Sequence, residues 1–106
     1  MNRAESIKYY AEHYNPGILK LVVDYDPEAE RVEKIDGKNQ IVTYRAYSNH
    51  TPVATEQDLA EKVAESEGIG FECEVFQLTL EQWYDIVTGT ASVTHLIATG
   101  AITKIN

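Results

Sequence analysis

The residues able to do chemistry are few, and their spacing is poor for it. Asp24, Asp26, Glu28 and Glu30 set carboxylates at alternate positions, as a calcium loop does. Such a loop also needs a glycine at its sixth position and a glutamate at its twelfth. Ala29 and Ile35 stand there, so the run reads as a solvated turn. His13, His50 and His95 share no zinc-type spacing with one another or with Cys73, and His95 lies in an apolar segment where packing is its expected role. No metal site is expected. No Gly-x-Ser-x-Gly elbow presents a serine, and no glycine-rich loop precedes a helix to hold phosphate. Glu81 and Asp85, one helical turn apart, read as ordinary surface carboxylates. Cys73 alternates with Glu72 and Glu74, which puts it on the inward side of a strand beside carboxylates that oppose thiolate formation. As the one cysteine it excludes an internal disulfide. The chain is therefore expected to be no enzyme and to use no cofactor. Seven tyrosines remain, each offering apolar area and one hydroxyl that needs a partner. They form either a core rim or the wall of a wide amphipathic pocket.

The elements that must position these residues are clearest in the last third. FECEVFQL from Phe71 reads as a strand. Thr79 with Gln82 fits a capping box, in which the hydroxyl accepts the Gln82 N–H and the amide reaches back to the cap. Leu80, Trp83, Ile86 and Val87 then share one helical face. Gly89 stops that helix, a short second one runs from Ser92 to Thr99, Gly100 stops it in turn, and Ala101–Ile105 closes as a strand. Within Phe71–Leu78, Phe76 and Leu78 put apolar groups on the face that carries Glu72 and Glu74. The strand either bulges near Val75 or is covered on both faces.

This ordered pattern resembles the C-terminal half of the sterol-carrier-protein-2-like (SCP2-like) family. The residues that carry the resemblance are Phe76-Gln77-Leu78-Thr79, Glu81, Trp83, Gly89, Leu96-Ile97, Gly100 and Ile102-Thr103-Lys104-Ile105. The resemblance implies an apolar tunnel between sheet and helices for a fatty acid, acyl-CoA or sterol. Trp83, Ile86, Val87, Leu96 and Ile97 would form its helical wall, and Phe76 and Leu78 its strand wall. The same residues would equally serve a packed core. Family members commonly continue past the last strand into a helix that helps close the cavity. Without that helix, an open groove or one closed by a second copy is expected.

Upstream, Ala4–Tyr14 reads as a short amphipathic helix ended by Asn15-Pro16-Gly17. Ile18–Tyr25 reads as a strand with Leu19, Leu21, Val23 and Tyr25 toward the core. Asp26-Pro27-Glu28 is a turn signal, and Asp36-Gly37-Lys38-Asn39 a second one, which together predict a three-stranded antiparallel meander. Ser48–Val53 reads as a polar loop. Thr55 caps a helix over Glu56–Glu67 with a narrow apolar stripe of Leu59 and Val63.

With 106 residues, 43% of them hydrophobic, the chain supports one core and one domain over 1–106. Seventeen acidic residues against nine basic ones give a net charge of −8 with no basic cluster, which disfavours nucleic acid and anionic bilayers. No basic-then-apolar leader, membrane-length apolar run or peroxisomal tripeptide is present, so a cytoplasmic protein without stable membrane insertion is expected. The fold expected is α+β, an antiparallel-dominated sheet of about five strands with helices on one face. The function expected is non-catalytic binding or carriage of a hydrophobic ligand. Two alternatives stand beside it: an SCP2-like interaction or dimerisation module, with pairing through the exposed terminal strand Ile102–Ile105, and a small acidic inhibitor or adaptor of a basic partner.

Overall fold

A computed structural model describes all residues from Met1 to Asn106. Its elements run α1 (Arg3–Tyr14), β1 (Lys20–Ile35), β2 (Lys38–Val53), α2 (Glu56–Gly68), β3 (Glu72–Gln77), α3 (Leu80–Val87), α4 (Val93–Ala98) and β4 (Thr103–Lys104). The strands form one antiparallel sheet in the order β2-β1-β3-β4. The domain is α+β, with four strands where about five are expected from sequence.

The missing strand has a local cause. Asp26-Pro27-Glu28 does not reverse the chain. The Asp26 carboxylate accepts the Glu28 N–H at 2.9 Å, as it would in a turn, but the segment is absorbed as a bulge between the pairs Asp26–Ala46 and Ala29–Tyr44. Proline is tolerated because a bulge removes a residue from the hydrogen-bonding ladder. Two expected strands thus fuse into β1. Likewise Ser48–Val53 is no loop, since β2 stays paired with β1 as far as Val53 opposite Lys20. The one true reversal is Asp36-Gly37, whose φ values of 51° and 78° are those of the two-residue turn that matches strand twist.

The interior lies on both sides of the sheet. Leu21, Val23, Tyr25 and Phe76 face α1, α3 and α4 and pack with Leu78, Trp83, Ile86, Val93 and Ile102. Val22, Val53 and Val75 face the other way, under Leu59 and Val63 of α2. The expectation of helices on one face is therefore corrected. The narrow stripe of α2 needs only a few small apolar partners, and the Val22 row supplies them. The register of β3 against β1 is unbroken from Lys20–Gln77 to Tyr25–Glu72, so its apolar end reflects cover on both faces and not a bulge.

The helix boundaries follow local chemistry. Thr79 and Gln82 exchange both bonds of a capping box, at 3.1 and 3.0 Å. Gly89 and Gly100 take φ of 75° and 71°, and both stand in open space where a side chain would meet no neighbour. The requirement at each is one of backbone conformation alone.

Beyond the bulge the β1–β2 hairpin leaves the body as a free ribbon. The radius of gyration is 16.9 Å and the principal extents are 56 × 30 × 18 Å, against about 13 Å for a compact chain of this length. Arg45 fixes the ribbon at its base. Its guanidinium reaches across β1 to Glu72 at 2.8 Å and Glu74 at 3.4 Å and stacks 3.6 Å over the Tyr25 ring.

Candidate functional site

Two places on the molecule gather residues able to act. The first is a polar cluster beneath α2. Asp24, on the sheet face opposite Tyr25, accepts the Ser66 hydroxyl at 2.6 Å and the Cys73 thiol at 3.4 Å, and Lys62 Nζ approaches its other oxygen at 3.4 Å. Burial, with the Asp24 carboxylate beside it, pushes the Cys73 thiol pKa up, so the sulfur stays protonated and weakly nucleophilic. Ser66 is 1% exposed, which leaves no room for a substrate at its hydroxyl. The cluster is a satisfied polar core that anchors α2 to the sheet. Asp24 is thus no part of a solvated turn, and its partners lie about forty and fifty positions away in sequence.

The second place is an apolar groove of about 330 Å³ between the C-terminal half of α1, the outer side of α3 and the end of β2. Tyr10 and Tyr14 come from α1, and Pro16 from the segment after it. Trp83 and Val87 come from α3, Pro52 and Val53 from the end of β2, and Ala54 from just beyond it. The aromatic rings brace one another: Tyr14 meets Trp83 edge to face at 6.4 Å, and Tyr10 meets Tyr84 likewise at 5.3 Å. Such edge-to-face pairs fix ring orientation beyond what burial does. The groove therefore has preset walls.

An ion-pair clamp holds the helix carrying those tyrosines. Arg3, at the start of α1, makes a two-pronged contact with Asp85 at 2.8 Å for each prong and reaches Glu81 at 2.9 Å. The guanidinium holds the Asp85 pKa below the usual carboxylate range. Glu81 and Asp85 are thus positioning residues for α1. Sequence reading missed this because Arg3 lies far from both along the chain.

Of the residues that the family resemblance assigns to a ligand wall, the structure brings Trp83 and Val87 to the groove. Phe76, Leu78, Trp83 and Ile86 pack together in the larger core cluster, with Leu96 and Ile97 half-buried against it. Pro16 and Pro52 are groove residues that the sequence did not single out, whereas Tyr10 and Tyr14 belong to the tyrosines read there as either a core rim or a pocket wall. The one signal pointing to the tyrosines was their number. The end of β2 gave none, because it reads as a loop. No three His, Cys, Asp or Glu side chains gather in a way that could hold a metal ion. No helix is long and apolar enough to cross a membrane.

Comparison with known protein families, with curated proteins and with solved structures finds no match. The groove's chemistry must therefore speak for itself. Its lining offers apolar surface, aromatic faces and two phenol hydroxyls, but no cation and no carboxylate. Such a lining favours apolar groups over charged ones.

Proposed function

We propose that this is a non-catalytic binding protein that takes an alkyl or acyl chain of medium length into the Tyr10–Tyr14–Trp83 groove. The supporting observation is a preset apolar groove walled by three aromatic rings on two clamped helices. Its volume of about 330 Å³ stands at the lower end of small-molecule sites, which run from roughly 300 to 1,000 Å³. At about 30 Å³ per water-sized group, it takes on the order of ten heavy atoms. That favours the tail of a fatty acid over a rigid sterol, and leaves the head group outside. Membership in the SCP2-like family is compatible with this reading and remains part of the proposal. A second reading, an interaction module, is favoured by a different observation, the projecting ribbon.

Burying about eight methylenes at ~0.8 kcal/mol each contributes at most about 6 kcal/mol, and the cost of immobilising the chain is taken from that, so the dissociation constant is no tighter than some tens of micromolar. Trp83 is the only tryptophan and lines the groove, so its emission reports occupancy directly. Titration with saturated fatty acids of increasing length should shift that emission saturably, with affinity rising until the groove is filled and then levelling. Val87→Glu puts a carboxylate into the groove from an exposed position and should abolish the shift without unfolding the protein. No saturable shift at any length would overturn the reading, as would an unchanged affinity in the Val87→Glu variant.

A further inference from the structure

The ribbon presents a free strand edge whose sequence is complementary to itself. Pairing of β1 with β3 stops at Tyr25, so from the bulge to Ile35 one side of β1 has no neighbour. The Asp36-Gly37 turn bonds Ile35 to Lys38 across the hairpin, and bonding positions alternate along a strand. Ile35, Glu33, Arg31 and Ala29 therefore direct their backbone groups at β2. Lys34, Val32 and Glu30 direct theirs outward.

Those outward residues are complementary in charge when the strand is laid against its own reverse. Laid antiparallel on a second copy about Val32, Val32 meets Val32, Glu30 meets Lys34, and Arg31 meets Glu33. Every charged pair is of opposite sign. Shifting the register by two residues opposes Arg31 to Arg31 or Glu33 to Glu33 instead. Like charges directly opposite are destabilising, so one register is selected.

The side chains agree with the backbone. Val32 and Ile41 are direct partners across the hairpin, and they are 66% and 70% exposed. Paired arms would align Ile41, Val32, Val32 and Ile41 in one row across four strands. On the other face, the Arg31–Glu33 ion pair within each arm would become a ring of four alternating charges. The segment beyond the bulge, Ala29–Tyr44, balances Glu30, Glu33 and Asp36 against Arg31, Lys34 and Lys38. The whole net charge of −8 thus lies on the rest of the chain. Arms can approach where bodies repel, and antiparallel arms put the two bodies at opposite ends.

We infer that the protein self-associates through the outer edge of β1, arm against antiparallel arm, centred on Val32. The paired stretch is Ala29–Ile35, because one step further opposes Glu28 to Asp36 at the bulge. Over seven residues this is roughly 23 Å of strand, which gives a concentration-dependent dimer and not an obligate one. The terminal strand is the weaker candidate for the same role, since β4 has two paired residues and its Lys104 is tied to Glu74.

Sedimentation velocity across micromolar to millimolar protein tests the inference. Wild type should pass from monomer to dimer as concentration rises. Glu30→Lys, at an exposed position, sets a new ammonium against Lys34 of the other copy at two symmetric places. It should weaken association by about ten-fold or more, with thermal unfolding unchanged. The double variant E30K/K34E restores opposite signs and should restore the dimer. A wild type that stays monomeric throughout overturns the inference and leaves the edge to a strand of another protein. A dimer indifferent to E30K, or one that the double variant fails to restore, overturns it as well.

Discussion

At the scale of single residues, long-range polar partners decide the architecture more than any reactive group does. Glu74 shows the balance of effects. Burial raises its pKa, but Lys104 at 2.8 Å, the Tyr25 hydroxyl and Arg45 outweigh burial and hold it below its ordinary value of 4.5. A carboxyl with a depressed folded pKa adds stability that is fully present above its unfolded value and is lost as pH falls through the folded one. The contribution of Glu74 to the denaturant midpoint should therefore be level above pH 4.5 and fall below it. In Glu74→Gln the midpoint should be lower at neutral pH and the acid decline shallower, and an equally steep decline would show that Glu74 is not a principal source of it. Tyr25 answers in the opposite sense, since burial and then the neighbouring Glu74 push its phenol up. Such clusters are barely legible in sequence. The alternation around Cys73 shows which strand face it takes, but nothing local shows that Asp24, Ser66 and Lys62 meet it there.

At the scale of elements, what is local is legible and what depends on cover is not. The Thr79 capping box and the left-handed Gly89 and Gly100 are complete within a few residues, and the structure has all three. Gly89→Val would force a β-branched residue to φ near 75° with no steric neighbour to add to the effect. A loss of ~1 to 3 kcal/mol is expected, and an unchanged denaturant midpoint would remove conformational strain as the reason for glycine there. The Asp26-Pro27-Glu28 segment defeats sequence reading for a physical reason: the Asp26 carboxylate bond to Glu28 satisfies a turn and a bulge equally. Only β2, pairing on both sides of it, decides between them. The run Leu21-Val22-Val23 is likewise ambiguous until α2 covers its second face. The alternation within Phe71–Leu78 did leave cover on both faces as one of two outcomes, and the unbroken register selects it.

At the scale of the whole molecule, a double-covered sheet sets the Trp83 groove at one end of the body while the hairpin arm projects from it. The larger core could be anticipated, because Phe76, Leu78, Trp83 and Ile86 all belong to the C-terminal unit where local signals agree. The groove could not, because half its lining comes from the α1 tyrosines and from a strand end that reads as loop. The function proposed for it requires that an apolar chain enter between α1, α3 and the end of β2. The most direct measurement is amide chemical-shift mapping on isotope-labelled protein during titration with a medium-chain fatty acid. Saturable shifts concentrated at Tyr10, Tyr14, Val53, Ala54, Trp83 and Val87 are expected, with the Ala29–Tyr44 arm unmoved. Shifts scattered over the surface, or none up to the solubility limit of the fatty acid, would contradict it.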